Sequence, residues 1–202
     1  MYVITKKKWG KNMKTLIKNG MIVSDSETYQ ADILIEDEKV KWIGTDLPKT
    51  DVDTVIDAEG KYVIPGAIDV HTHMDIDVGI ARAVDDFYDG TVAAACGGTT
   101  SIVDHMGFGP AGVPLHYQFN EYKKLTEGKA VIDYGFHGVA QHVDDDIIAE
   151  LETMAEDGIP SVKAYLTYGF KLNDAEVLQI LKKMKEIGGV TAFHCENHEL
   201  VE

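Results

Sequence analysis

Cysteine is scarce in this sequence. The two present, Cys96 and Cys195, form no C-x-x-C pair. That argues against a disulfide framework and for a reducing compartment. Positive charge is scarce as well: 19 Lys and Arg against 34 Asp and Glu leave a formal net charge of −15. A phosphate-binding surface needs clustered Lys and Arg, so nucleic acid is a poor fit as partner. No run of 18 apolar residues exists, so no transmembrane helix is expected. The opening "MYVITKKKWGKN" has no apolar stretch of the kind a secretory signal carries. No G-x-G-x-x-G follows the first strand, and no G-x-x-x-x-G-K-[ST] occurs anywhere.

What is present is 45% hydrophobic and 26% charged, ordinary for a cytoplasmic globular protein of one large or two small domains. Met13 opens "MKTLIKNGMIV" like a natural start, and residues 1–12 read as an extension. Residues 13–64 read as a small β unit. Val, Ile and Tyr flank the turn signals Asn19-Gly20, "EDEK" and Glu59-Gly60, a pattern of short antiparallel strands.

From Tyr62 the rhythm changes, and residues 65–202 read as the N-terminal part of a second domain. The runs "YVIPGAIDV", "TTSIVDH", "VIDYGFHGV", "SVKAYL" and "VTAFH" read as buried strands. Helical segments separate them at 84–97, about 115–127, 144–157 and 173–187. Acids open the third helix and Gly158 follows it. Asn173 or Asp174 caps the fourth, and Gly188 stops it. Such alternation predicts a parallel sheet, doubly wound or a (β/α)8 barrel. Polar side chains choose between the two. His71, His73, His105, His137 and His194 lie at the ends of different strands, and Lys163 lies within one. Reactive groups spread over several strand ends mark a barrel's active face, whereas a doubly wound sheet gathers them at one switch point. An α/β barrel with its first five strands is therefore expected.

Two of these histidines share one direction. In "HTH", alternation along a strand puts His71 and His73 on one face and Thr72 on the other, as a divalent metal would require. A pair of exposed loop residues is the plainer alternative. Lys163, between Val162 and Ala164, has no acid nearby in sequence. It is a lysine reaching a distant carboxylate, a Schiff-base lysine, or one carboxylated by carbon dioxide to a metal-bridging carbamate.

The segments "PGAIDVHTHM", "DDFYDGTVAAACGGTTSIVD", "DYGFH", "SVKAYLTY" and "FHCEN" together resemble the hydantoinase and dihydropyrimidinase branch of the cyclic amidohydrolases. The resemblance runs from about Lys14 to the end. It implies a (β/α)8 barrel preceded by a β-sandwich to which residues 13–64 contribute. It further implies hydrolysis of a cyclic amide, a hydantoin or dihydropyrimidine ring opening to an N-carbamoyl amino acid. By the same resemblance, His71 and His73 hold a first metal and His194 a second. A carboxylated Lys163 bridges them, and the Tyr168 hydroxyl contacts the carbonyl under attack. Zinc suits this donor set, as do manganese and cobalt. His105 and His137 are expected to be supporting or structural rather than ligands. The implied assembly is a homo-oligomer, a tetramer in the family.

The segment "DHMGFGPAGVPL" departs from the usual branch pattern. Another cyclic ureide or imide hydrolase, such as an allantoinase or dihydroorotase, is therefore the alternative activity. A non-catalytic dihydropyrimidinase-like relative or a truncated pseudoenzyme is the alternative class. In the family a further histidine and the aspartate general base lie beyond the point matching Glu202. Glu196 and His198, which follow the fifth strand, cannot replace them. The 202-residue chain alone is accordingly expected not to turn over hydantoin or dihydrouracil.

Overall fold

The computed structural model describes residues 13–201; the extension expected at 1–12 lies outside them. The described residues fall into two units, one ending at Gly66 and the other beginning at Ala67.

The first unit is a five-stranded sheet: β1 (Lys14–Val23), β2 (Thr28–Glu36), β3 (Lys39–Gly44), β4 (Thr54–Asp57) and β5 (Tyr62–Val63). The order is β3-β2-β1-β4, with β5 also on β1. The β2–β3 hairpin turns at Asp37-Glu38, inside the expected "EDEK". Two expectations change. Asn19-Gly20 is no hairpin turn. It is a bulge inside the continuous strand β1, where the register slips between Ile17 and Gly20. Asn19 takes the left-handed conformation there (φ 62°), which asparagine tolerates better than most residues. β4 and β5 do not pair with each other either. Each runs parallel to β1, β4 along its first half and β5 along its second. A ten-residue strand is long enough to template both. Ile22, Ala31 and Ile33 form the buried cluster of this sheet.

The second unit is β6 (Ala67–Thr72), α1 (Phe87–Cys96), β7 (Thr99–His105), α2 (Leu115–Thr126), β8 (Asp133–Val139), α3 (Asp145–Glu156), β9 (Ser161–Tyr165), α4 (Asp174–Glu186), β10 (Val190–His194) and the short α5 (His198–Val201). Its strands are all parallel and pair in chain order, β10-β9-β8-β7-β6. The order never reverses. That is the winding of a barrel wall and not of a doubly wound sheet. The run expected as one strand over "YVIPGAIDV" is divided at Pro65-Gly66: β5 serves the first sheet and β6 the second.

Helix signals act as the residues predict. Asn173 caps α4 in a full capping box with Glu176, and Asp144 caps α3. α1 begins at Phe87, later than position 84, because Asp86 accepts from the N–H groups of Tyr88 and Asp89. α2 starts after Pro114 with no side-chain cap of its own, and Glu150 of α3 accepts from the Leu115 N–H instead (2.6 Å). Phe87, Ile102, Phe136, Leu151, Val162 and Ile180 are buried in one core between helices and sheet. The outer strands remain open: Ile68 and Val70 of β6 and Val190 of β10 are more than half exposed.

Candidate active site

The parallel register delivers the reactive residues in rows. His105 lies opposite His137, Lys163 opposite both Val139 and Ala192, and His194 opposite Tyr165. β6 ends at Thr72, so His73 is the first residue of the loop and not of the strand. Even so, His71 and His73 converge, with their Nε2 atoms 3.2 Å apart. The His105 ring packs against His71 (4.4 Å between centroids), His73 (5.2 Å) and His137 (4.4 Å). Four imidazoles, three on strands and His73 on the loop after β6, thus form one cluster.

Their hydrogen bonds separate them. His137 has both nitrogens engaged, Nδ1 with Ser161 Oγ (2.6 Å) and Nε2 with the Val70 carbonyl (2.9 Å). It is a structural member with no lone pair to offer. His73 and His105 each bury an Nδ1 that has no partner. Burial, reinforced by the surrounding histidines and Lys163, pushes His105 down to about 3. His73 is lowered for the same reason, by burial first and then by His71 and Lys163. Neutral imidazole is the form that ligates metals.

Lys163 is 5% exposed, and no carboxylate pairs with it among the described residues. Its ammonium lies 5.8 Å from the Tyr165 ring centroid. Burial lowers its proton affinity. The reading of Lys163 as a partnered core lysine therefore lacks its partner.

Tyr168 and His194 form a second group. Tyr168 sits at φ 69°, a strained position for an aromatic residue, costing on the order of 1–3 kcal/mol, of the kind found at functional sites. Its hydroxyl donates to Glu196 Oε2 (2.7 Å), and His194 Nε2 lies 2.6 Å from the same oxygen. The two groups meet at a cavity of about 600 Å³. His73, Tyr168 and His194 are in its wall, and Ile76, Val78, Phe108 and Phe170 supply apolar surface. Among the described residues no three His, Cys, Asp or Glu side chains are gathered as a metal-holding group.

One residue carried no signal of its own in the sequence. Asp104 is fully buried in β7, and its Oδ2 accepts from the Thr72 hydroxyl (2.6 Å) and the Met74 N–H (2.9 Å). These two donors flank His73 in the chain, so Asp104 fixes the turn that presents it. The "DDFYDG" motif acts nearby. Asp75 takes hydrogen bonds from Arg82 (2.7 Å) and the Phe87 N–H (3.4 Å), while Gly90 brings α1 against Met74, where a Cβ would fall 2.8 Å from Sδ.

The fold has close counterparts among known proteins. The chain is 53% identical over 185 residues to the D-phenylhydantoinase of Escherichia coli O1:K1 / APEC, covering 92% of this chain and 40% of that protein. The chain belongs to the hydantoinase and dihydropyrimidinase family, and it matches the N-terminal part. Among solved structures, the dihydropyrimidinase from Brevibacillus agri NCHU1002 superposes with a TM-score of 0.89 at 43% identity, over 94% of this chain and 41% of that one. A D-hydantoinase gives 0.88 at 41% identity, over 94% and 41%. The chain thus spans about 40% of the length of the curated hydantoinases it matches. No family model matches it. Among the described residues no helix is long and apolar enough to cross a membrane.

Proposed function

We propose that this chain supplies the His-Thr-His half of a hydantoinase-type site, which hydrolyses a cyclic amide and opens the ring to an N-carbamoyl amino acid. The observation that carries the reading is the His71–His73 pair, Nε2 to Nε2 at 3.2 Å, beside a buried Lys163 that no acid among the described residues neutralises. Such a set fits cations. Two imidazole nitrogens point at one place, His73 keeps a buried Nδ1 without a partner among the described residues, and Lys163, which as an ammonium would repel a cation, suits one once carboxylated. His71 and His73 would hold one divalent ion and His194 a second, with Lys163, carboxylated, between them. Zinc is the first choice, with manganese or cobalt also suited. Such ions polarise an amide carbonyl and make water a nucleophile at neutral pH.

The protein's own groups do the rest. Burial favours the neutral Lys163 amine, which adds to carbon dioxide, releases a proton and becomes an anionic carbamate. The apolar wall excludes water from the ring and its substituent. Tyr168 would donate to the carbonyl oxygen as it gains charge, in competition with Glu196, which accepts its proton in this structure. Among the described residues no Lys or Arg lines the cavity, so an uncharged ring with an apolar substituent fits this part of the wall better than the carboxylate of dihydroorotate. A cytoplasmic homo-oligomer is the setting that goes with this reading.

The test is a chimera in which this chain replaces the matching region of the E. coli D-phenylhydantoinase. The folded, zinc-supplied chimera is expected to open 5-phenylhydantoin or dihydrouracil in preference to dihydroorotate, and to lose that activity with His73→Ala. A folded, zinc-loaded chimera that opens none of these rings contradicts the reading.

A further inference from the structure

Two hydrogen bonds converge on one oxygen just after β10. Glu196 Oε2 is 2.6 Å from His194 Nε2 and 2.7 Å from the Tyr168 hydroxyl. A carboxylate only accepts, so both partners must donate. The imidazole cannot turn freely away. It stacks on Tyr165 at 18° with centroids 5.4 Å apart, and Tyr168 leans against it at 5.3 Å. Its backbone is held too, because the His194 carbonyl accepts from the Leu166 N–H (3.1 Å). With the ring plane set by aromatic neighbours, Glu196 decides which nitrogen bears the hydrogen.

We infer that Glu196 is a positioning residue of this site. It holds His194 as the Nε2–H tautomer, so that Nδ1 carries the lone pair offered to a metal, and with the same oxygen it parks the Tyr168 hydroxyl. Ligating histidines commonly donate their other N–H to a carboxylate, which fixes the tautomer and raises the ligand's basicity. A two-residue separation lets one loop provide both the ligand and its orienting acid. Glu196 also ties the second metal's histidine to the tyrosine expected to meet the substrate, so displacement of one partner is felt by the other. The inference rests on the reading that His194 holds a metal.

The experiment uses the 202-residue chain and two readouts. Long-range proton–nitrogen NMR at about pH 8, above the ordinary histidine range, reports the tautomer of each imidazole without metal. Competition titration with zinc alone reports affinity. The expected result is His194 as Nε2–H in the unsubstituted chain and loss of that preference in Glu196→Ala. Zinc binding should weaken roughly 10–100-fold. Tyr168→Phe should leave the tautomer in place. Glu196 is half exposed, so its loss should leave the fold intact by circular dichroism. An Nδ1–H tautomer, or Glu196→Ala with unchanged tautomer and affinity, overturns the inference. If His194→Ala binds zinc as tightly as the unsubstituted chain, the metal reading of His194 fails instead, while the tautomer measurement still judges the link to Glu196.

Discussion

Asp32 in β2 and Asp104 in β7 are both buried aspartates on strands, one in each unit, and the two units treat them in opposite ways. Asp32 is satisfied on both oxygens. Oδ2 accepts from Lys18 Nζ (2.8 Å) and the Leu47 N–H (2.9 Å), and Oδ1 from the Asn19 N–H (2.9 Å). Burial alone would push its pKa up, but Lys18 and the two N–H groups outweigh that and hold it below the usual range. Asp104 has two donors on Oδ2 and a bare, buried Oδ1. Burial pushes it up to about 7. The same contrast extends outward. Among the described residues, unpartnered buried nitrogens occur on His73 and His105 and an unpaired buried lysine at Lys163, all in the second unit. A polar core closed on itself serves stability. One left open at several atoms marks the place where something else is to bind.

The largest effect should come from breaking the closed side. Asp32→Ala takes the anion from Lys18, which is part-buried and keeps only the Leu47 carbonyl, and the acceptor from the Asn19 and Leu47 N–H groups, which together cost about 3–5 kcal/mol. Urea unfolding of the chain should show that loss. Because the folded pKa of Asp32 lies below its unfolded value, its contribution is present above about pH 4 and is lost as pH falls through the folded value. The Asp32 variant should therefore be less sensitive to acid than the unsubstituted chain. An equal acid sensitivity would mean that Lys18 finds another partner.

The open side should respond with the opposite sign. A rise from 3.8 to about 7 means that the folded protein keeps a proton which the unfolded chain releases. The stability contribution is complete below about pH 4 and falls away as pH rises to about 7, by up to about 4 kcal/mol. Asp104→Asn removes this dependence, so the difference in unfolding free energy between variant and unsubstituted chain should shift in the variant's favour between about pH 5 and pH 8. A difference that stays constant over that range would show Asp104 ionised throughout.

A smaller effect is expected at the entry to β10. Gly188 takes a left-handed conformation (φ 70°), and a Cβ on Gly189 would fall 2.7 Å from the Pro160 carbonyl oxygen. Backbone cannot yield as a side chain can. Gly189→Ala should cost about 1–3 kcal/mol and disturb the strand that carries His194. Unchanged thermal unfolding would show that β10 can shift outward at no cost.

Much of this was legible in the residues because it is local or periodic. The strand and helix alternation and the Asn173 cap follow from spacings of two to four residues, whereas His73 meets His71 from the loop after β6, in a turn held by Asp104. The errors came from pairings across distance. Nothing near Asn19 says that β1 continues through a bulge, and nothing in "TVIDAEGKYV" says that its two runs find β1 rather than each other. Asp104 acts on Thr72 from 32 residues away. Glu196 was visible as an acid beside "FH", but its role depends on a tyrosine 28 residues earlier whose backbone is turned to φ 69°.

The claim that the open polar cluster is built for a cation is tested most directly by its metal content. The chain would be equilibrated with zinc, dialysed against metal-free buffer and assayed by plasma mass spectrometry, alongside a His71→Ala/His73→Ala double variant of verified fold. The account predicts zinc retained by the unsubstituted chain and lost from the double variant. Equal zinc in both, or none in the unsubstituted chain, would contradict it.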